Sequence, residues 1–134
     1  MEKVRILIVD DEPDAGEILS LRLGRRGYEP VYASSGEAAL AHLAEHPVDV
    51  VLLDIKMPGM DGLEVLRHIR DRHPHVSTII ISGHADMDAA AKGLELGAFY
   101  YQLKPIDLET LCHKIEDACR QKELEGGRSG AAGG

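Results

Sequence analysis

The sequence lacks the features that mark secreted, membrane-spanning and nucleic-acid-binding proteins. Its 134 residues include one phenylalanine, four tyrosines, two cysteines and no tryptophan. No apolar run approaches the roughly 20 residues that a membrane-spanning helix needs, and charges interrupt the opening MEKVRIL, where a signal peptide would be apolar. The formal net charge of −8 argues against binding nucleic acid through its phosphates. We therefore expect a cytoplasmic protein without direct nucleic-acid or membrane contact.

The two cysteines do not indicate a disulfide. Cys112 and Cys119 lie on one predicted helix, where a rise of 1.5 Å per residue separates them by roughly 10 Å. A disulfide needs Cα atoms within about 7 Å of each other. We predict two reduced thiols.

The rest of the composition is typical of one globular domain. Apolar residues make up 44% of the chain and charged residues 28%, which is not the composition of a disordered protein. The length is sufficient for one hydrophobic core. From Glu123 onward the sequence ELEGGRSGAAGG is rich in glycine. We predict a domain over residues 1–122 and a flexible Gly-rich tail or truncated linker over residues 123–134.

Apolar runs that are typical of strands alternate with amphipathic segments that are typical of helices. The predicted strands are residues 4–9, 28–33, 49–54, 77–82 and 98–103, and a helix is predicted after each. Three of the runs are almost continuously apolar, which is typical of parallel strands covered on both faces. Crossovers between such strands are right-handed. The sequence therefore predicts an α/β fold, a doubly wound five-stranded parallel sheet with five helices in the flavodoxin-like order 2-1-3-4-5.

Local signals set the expected ends of the helices. Pro13 suits the first turn of the first helix, and Gly27 suits its end. Ser34 and Glu37 form a capping box that would begin the second helix. The residues predicted to face the core from these two helices are Ile18, Leu19, Leu23, Leu40, Leu43 and Ala44.

Polar residues follow the carboxyl ends of four predicted strands. They are Asp10 and Asp11 after the first strand, Asp54 at the end of the third, Ser82 at the end of the fourth and Lys104 after the fifth. In open α/β sheets, ligands bind beyond these strand ends where the strand order reverses. Neighbouring strands are only about 4.8 Å apart. We expect the five side chains to share one crevice.

The chemistry of this crevice indicates phosphoryl transfer. Three neighbouring carboxylates repel one another and raise each other's pKa values, and a hard divalent cation such as Mg²⁺ relieves that repulsion. A carboxylate flanked by a metal, a hydroxyl and an ammonium group is suited to act as a nucleophile toward phosphorus. Asp54 would be that nucleophile, while Ser82 and Lys104 would stabilise the phosphoryl oxygens.

In four stretches the sequence resembles the receiver domain of two-component response regulators. The stretches VDDE, LLDIKMPGMDG, ISGHAD and YQLKP match in order and spacing, and the match covers about residues 4–122. The run from IIISGHADMDAA to GAFYYQLKPID is most similar to the nitrogen-regulator, enhancer-binding subfamily. The resemblance implies a signalling phosphoacceptor that catalyses only its own phosphoryl transfer and slow self-dephosphorylation. A sensor histidine kinase or phosphotransfer protein would supply the phosphoryl group.

The resemblance also implies roles for individual residues of the metal and phosphoryl sites. Asp54 would be the phosphoacceptor. Asp11 would bind Mg²⁺ directly, Asp10 would bind it through water, and the backbone carbonyl of Lys56 would be a further ligand.

Further roles implied by the resemblance concern the response to phosphorylation. Ser82 would bond one phosphoryl oxygen and Lys104 would pair with another. Tyr101 would be an aromatic switch that turns inward with Ser82, and the Lys104–Pro105 peptide would be cis.

The helix and strand over residues 86–104 are predicted to form the output face. Gly93 inside the helix costs about 1 kcal/mol relative to alanine, and its neighbours are mostly alanine, so we expect little packing to hold it. Phosphorylation would bias this segment between two arrangements and so signal to an output domain or partner protein. A phosphorylation-dependent homodimer stays open.

Two other functions are less consistent with the sequence. A Mg²⁺-dependent phosphohydrolase working through an aspartyl-phosphate would need a second carboxylate two residues after Asp54, where Lys56 stands, and a covering domain. A nucleotide or flavin binder would need a Gly-rich loop after the first strand, where the sequence is DDEPDAG.

Overall fold

Five parallel strands form a single sheet in the computed structural model, which describes residues 3–56 and 61–133, with side chains to residue 124. The strands are β1 (Arg5–Val9), β2 (Glu29–Ala33), β3 (Val50–Asp54), β4 (Ser77–Ser82) and β5 (Tyr100–Leu103). Their order is β2-β1-β3-β4-β5, and every neighbouring pair is parallel. The predicted fold class and strand order are confirmed.

A helix follows each strand. The helices are α1 (Pro13–Arg25), α2 (Gly36–Glu45), α3 (Gly62–Arg72), α4 (Met87–Glu95) and α5 (Leu108–Gly133), and a 3₁₀ turn over His84–Asp86 precedes α4. The side chains of α1 and α5 pack on one face of the sheet. Those of α2, α3 and α4 pack on the other. The two helical layers cover both faces, as the continuous apolar strand runs predicted.

The central strands alternate their side chains between the two layers. In β1, Ile6 and Ile8 face the α1 and α5 layer, whereas Leu7 and Val9 face the opposite layer. All four are at most 2% exposed, and burying each contributes about 1.5–3 kcal/mol. This packing fixes the strand ends from which the polar residues project.

The first helix presents a different face from the predicted one. Its buried residues are Gly16, Leu19 and Leu23, which are spaced at i, i+3 and i+7 on one stripe. Ile18 is 54% exposed, so its predicted place in the core is wrong. It lies one residue away from the stripe and is turned by about 100° from Leu19.

The second helix begins one residue later than predicted. Ser35 is its N-cap, and its hydroxyl accepts a hydrogen bond from the Ala38 N–H at 3.1 Å, in place of the capping box predicted at Ser34. Ala39 and Leu43 consequently face the core, and Ala44 is exposed. The core prediction for Ala44 is therefore wrong.

The last helix extends beyond the predicted end of the domain. Its backbone is helical to Gly133, and the glutamate, leucine and lysine residues of KELE favour helix. The domain boundary after residue 122, and the assignment of residues 123–134 as a tail or truncated linker, stay predictions. No helix in the described ranges is both long and apolar enough to cross a membrane.

The cysteine prediction is confirmed. Cys112 and Cys119 are both free thiols. Burial raises the pKa of each thiol above its usual value, which keeps both protonated and weakly nucleophilic.

Candidate functional site

Three aspartates meet where β1 and β3 end side by side. The strands pair in parallel with Val9 opposite Leu53, so that Asp10 and Asp11 follow one strand just where Asp54 ends the other. Carboxylate oxygens from the three residues all lie within 4.8 Å of one another. The acidic crevice expected from the sequence is therefore present.

Asp54 is the buried member of this cluster, with 5% of its surface exposed. One carboxylate oxygen accepts the Lys56 backbone N–H at 3.1 Å, and the other lies 3.4 Å from Lys104 Nζ. Burial raises the pKa of Asp54 above its usual value, and these two partners only partly offset the effect, to which the charge of Asp10 adds. Ionised Asp54 is thus incompletely neutralised by protein groups.

Among the described residues, Lys104 is the one whose charged side chain forms a salt bridge with Asp54. Burial lowers the pKa of Lys104, but the charges of Asp54 and Asp10 outweigh burial, and the pKa lies above its usual value. The Lys104 backbone N–H donates to the Ser82 carbonyl at 2.8 Å. The Lys104–Pro105 peptide is cis, as the resemblance implied.

Ser82 is completely buried at the end of β4. Its hydroxyl has no hydrogen-bond partner among the residues that the structure describes, although leaving such a group unpaired costs about 1–3 kcal/mol. The preceding residue, Ile81, pairs with Asp54 in the sheet register. A buried hydroxyl with no partner among the described residues, one position after the register partner of Asp54, is suited to bind an oxygen atom brought by a ligand.

The donor set fits a magnesium ion. Carboxylate oxygens are the ligands Mg²⁺ prefers, and at about 2.1 Å per bond two of its ligands lie at most about 4.2 Å apart. Carboxylate oxygens of the three aspartates all lie within 4.8 Å of one another, close enough for one ion to contact them directly or through its bound waters. The incomplete neutralisation of Asp54 gives a further reason to bind a cation here.

The contacts of two further predicted residues do not define their roles. Lys56 is exposed, and its backbone N–H contacts Asp54. The predicted use of its carbonyl as a metal ligand stays a prediction. Tyr101 is half-buried on β5 opposite Ile80, and its switch role stays a prediction. Part of LLDIKMPGMDG, residues 57–60, lies outside the described residues.

Tyr32, which was not predicted from the sequence, also touches this site. The Tyr32 hydroxyl, at the end of β2, donates to the backbone carbonyl of Asp10 at 2.7 Å. Burial and the charges of Asp10, Glu17 and Asp11 raise the pKa of Tyr32, so the phenol keeps the proton it donates. The available signal in the sequence was a tyrosine near the carboxyl end of an edge strand, together with a glycine, Gly16, inside the helix that precedes that strand.

Over most of its length the chain is similar to response regulators. Residues 6–116 match the family described as response regulator receiver domain. A putative NtrX-like response regulator of Rickettsia bellii is 39% identical over 127 residues, which cover 93% of this chain and 27% of the relative. The DNA-binding transcriptional regulator NtrC of Salmonella typhimurium is 38% identical over 118 residues, covering 88% and 25%. The chain thus spans about a quarter of these relatives' length.

A solved structure supports the same assignment. A response regulator receiver domain protein of Clostridium thermocellum aligns with a TM-score of 0.87 and 36% identity, covering 90% of this chain and 98% of that one. The NtrX-like and NtrC relatives confirm the resemblance to the nitrogen-regulator, enhancer-binding subfamily. The chain therefore belongs to the response regulator receiver domain family, whose members are signalling domains.

Proposed function

We propose that Asp54 accepts a phosphoryl group from a phosphohistidine of a sensor histidine kinase or phosphotransfer protein in a Mg²⁺-dependent reaction. The observation that carries the proposal is the surroundings of Asp54. It is buried, its two oxygens face Lys56 N–H and Lys104 Nζ, and two further carboxylates lie beside it.

In the proposed step, an oxygen of the Asp54 carboxylate attacks phosphorus and forms a new P–O bond. The P–N bond of the phosphohistidine breaks, and the released imidazole nitrogen keeps the electron pair and takes a proton. Lys104 balances the charge that gathers on the phosphoryl oxygens. Ser82, whose hydroxyl is unpaired among the described residues, donates to one of them.

The metal would be held by the acidic cluster. Asp11 and Asp54 would bind Mg²⁺, Asp10 would hold it through water, and the Lys56 carbonyl would complete the protein ligands. When bound, the ion would neutralise phosphoryl oxygens and part of the carboxylate repulsion. The Lys56 backbone N–H and the Lys104 ammonium group would keep the Asp54 carboxylate oriented for the reaction.

The proposed readout is a change in residues 86–104 that an output domain or partner protein recognises. Ser82 lies two residues after Ile80, and Ile80 pairs with Tyr101 on the neighbouring strand. A movement of Ser82 toward a phosphoryl group would therefore change the surroundings of the Tyr101 side chain. We also propose that the domain acts in the cytoplasm, where its free cysteines would stay reduced.

The test is labelling by acetyl phosphate in the presence of Mg²⁺. We expect one covalent phosphoryl group, stable to acid and labile to base, on the wild-type chain and none on Asp54→Asn. Asp61→Asn is the matched control, because asparagine caps α3 as well as aspartate does and Asp61 is an exposed residue. Labelling of Asp54→Asn at the wild-type rate would contradict the assignment. Continued turnover of acetyl phosphate without accumulation of label would favour the phosphohydrolase.

A further inference from the structure

Tyr32 joins the edge strand to the acidic loop. Its phenol hydroxyl reaches from β2 to the Asp10 backbone carbonyl at 2.7 Å, across the paired ends of β1 and β2, where Val9 lies opposite Ala33. The ring packs against the cluster formed by α1 and α5. Tyr32 therefore binds the backbone of Asp10, which is one of the three residues of the acidic cluster.

Asp10 is held at three points. Its backbone N–H donates to the Ala33 carbonyl at 3.2 Å, its backbone carbonyl accepts from Tyr32, and one carboxylate oxygen accepts from the Glu12 N–H at 2.9 Å. Two of these three bonds come from β2. Together the backbone bonds fix the peptide groups on both sides of the Asp10 Cα and so the direction of its side chain.

Gly16 makes the position of the Tyr32 ring possible. A Cβ atom at Gly16 would lie 2.2 Å from Cε1 of Tyr32, which is too close for non-bonded atoms. Glycine inside a helix costs about 1 kcal/mol relative to alanine, and Gly16 lies in the first turns of α1. The ring and the glycine therefore form one packing unit beside the acidic loop.

We propose that Tyr32 is a positioning residue for the metal site, because its hydroxyl holds Asp10 so that the carboxylate faces Asp11 and Asp54. The inference rests on the proposed function, since it assumes that the three aspartates bind Mg²⁺. Tyr32 itself touches neither the metal nor the phosphoryl group in this proposal. Its effect reaches the site through the backbone of Asp10.

The test is the Mg²⁺ dissociation constant of Tyr32→Phe, measured without phosphate by titration of backbone amide NMR signals. Removing one hydrogen bond of this kind should weaken binding by about three- to tenfold. Tyr28→Phe is the matched control, because Tyr28 packs against the same cluster and does not contact Asp10. It should stay within about twofold of the wild type. Gly16→Ala keeps the hydroxyl but displaces the ring, and should weaken binding as Tyr32→Phe does.

A second measurement separates positioning from general loosening of the fold. The rate of phosphorylation of Tyr32→Phe by acetyl phosphate should fall at low Mg²⁺ and return to within about twofold of wild type at saturating Mg²⁺. An unchanged dissociation constant in Tyr32→Phe, or an equal loss in Tyr28→Phe, would overturn the inference. If Asp11→Ala abolishes Mg²⁺ binding while Tyr32→Phe does not weaken it, the metal site stands and only the role of Tyr32 falls. A wild-type chain that binds no Mg²⁺ would overturn both.

Discussion

Asp49 and Asp54 stand at opposite ends of β3 and show how partners decide the effect of burial on a carboxylate. Burial opposes ionisation of Asp49, but hydrogen bonds from Arg5 and the charge of Lys122 outweigh it, so the pKa of Asp49 lies below its usual value. Burial prevails at Asp54, and its pKa is raised. The first carboxylate stabilises the folded domain. The second is kept at a cost in stability, as is common at functional sites.

The contacts of Asp49 predict a specific pH dependence of stability. Its oxygens lie 2.8 Å from the Arg5 backbone N–H and 3.3 Å from Lys122 Nζ. Because the folded pKa is lowered, the stabilisation is present above the unfolded pKa and is lost as the pH falls through the folded pKa. Asp49→Asn should therefore lower the free energy of unfolding by about 1–3 kcal/mol near neutral pH.

Urea denaturation at several pH values measures this effect. The gap between the wild type and Asp49→Asn should narrow as the pH falls below about 4, because the wild-type carboxylate then becomes protonated. Asp61→Asn, which alters an exposed N-cap, should change the free energy of unfolding little at any pH. A gap between wild type and Asp49→Asn of constant size from neutral to acidic pH would contradict the ionic origin of this stabilisation.

Among the elements, α4 packs more closely on the sheet than its sequence predicted. Gly93 is buried, and a Cβ atom there would lie 2.1 Å from Cδ1 of Ile80 on β4. From its low helix propensity alone, this glycine is expected to be a weak point in the helix. The structure shows that its missing side chain allows the helix to approach the sheet, so the expectation of a loosely packed helix is wrong at Gly93.

Gly93→Ala should consequently lower the free energy of unfolding of the domain, although alanine favours the helical backbone of α4 more than glycine does. Overpacking of this kind costs about 1–3 kcal/mol, which outweighs the gain of about 1 kcal/mol in helix propensity. Ile80→Val removes the Cδ1 atom that the new methyl group would meet. The double variant Gly93→Ala with Ile80→Val should therefore be more stable than the sum of the two single changes predicts. Urea denaturation of all four proteins measures this coupling, and strict additivity would contradict the proposed clash.

The segment over residues 86–104 should respond to phosphorylation more than α1 does. Within it, Gly93 contacts Ile80, and Ile80 is paired with Tyr101 and lies two residues from Ser82. Amide hydrogen exchange with and without beryllofluoride, a phosphoryl mimic, should change over residues 83–104 and hardly at all over residues 14–26. A uniform change, or one confined to α1, would contradict this choice of output face.

For the whole molecule, the sequence predicted the sheet and the acidic crevice because both follow from topology. Continuous apolar runs indicate strands covered on both faces, and parallel strands bring their carboxyl ends to one edge. That rule placed Asp10, Asp54 and Lys104 together before any distance was known. The role of Ser82 toward the phosphoryl oxygens was also expected from its place at a strand end, whereas the switch role of Tyr101 came from the family resemblance. Both roles stay predictions.

Features that depend on contacts between distant elements could not be predicted from local patterns. Whether Ile18 or Gly16 faces the core depends on how α1 is rotated against β2, and the apolar pattern of α1 suits both. The contact of Gly93 depends on the distance between α4 and β4. In the segment after Glu123, the many glycines disfavour a helix, whereas glutamate, leucine and alanine favour one. The local sequence therefore did not predict the helical backbone there.

The contact between Gly16 and Tyr32 also restricts the order in which these two positions can change. While the tyrosine ring is present, any side chain at position 16 overlaps it. Once a small residue replaces Tyr32, the space beside α1 is open and Gly16 becomes free to vary. A library of random variants selected for a folded, functional domain should therefore yield substitutions of Gly16 mainly in chains that have already lost Tyr32. We therefore expect the substitution of Tyr32 to come first and that of Gly16 to follow.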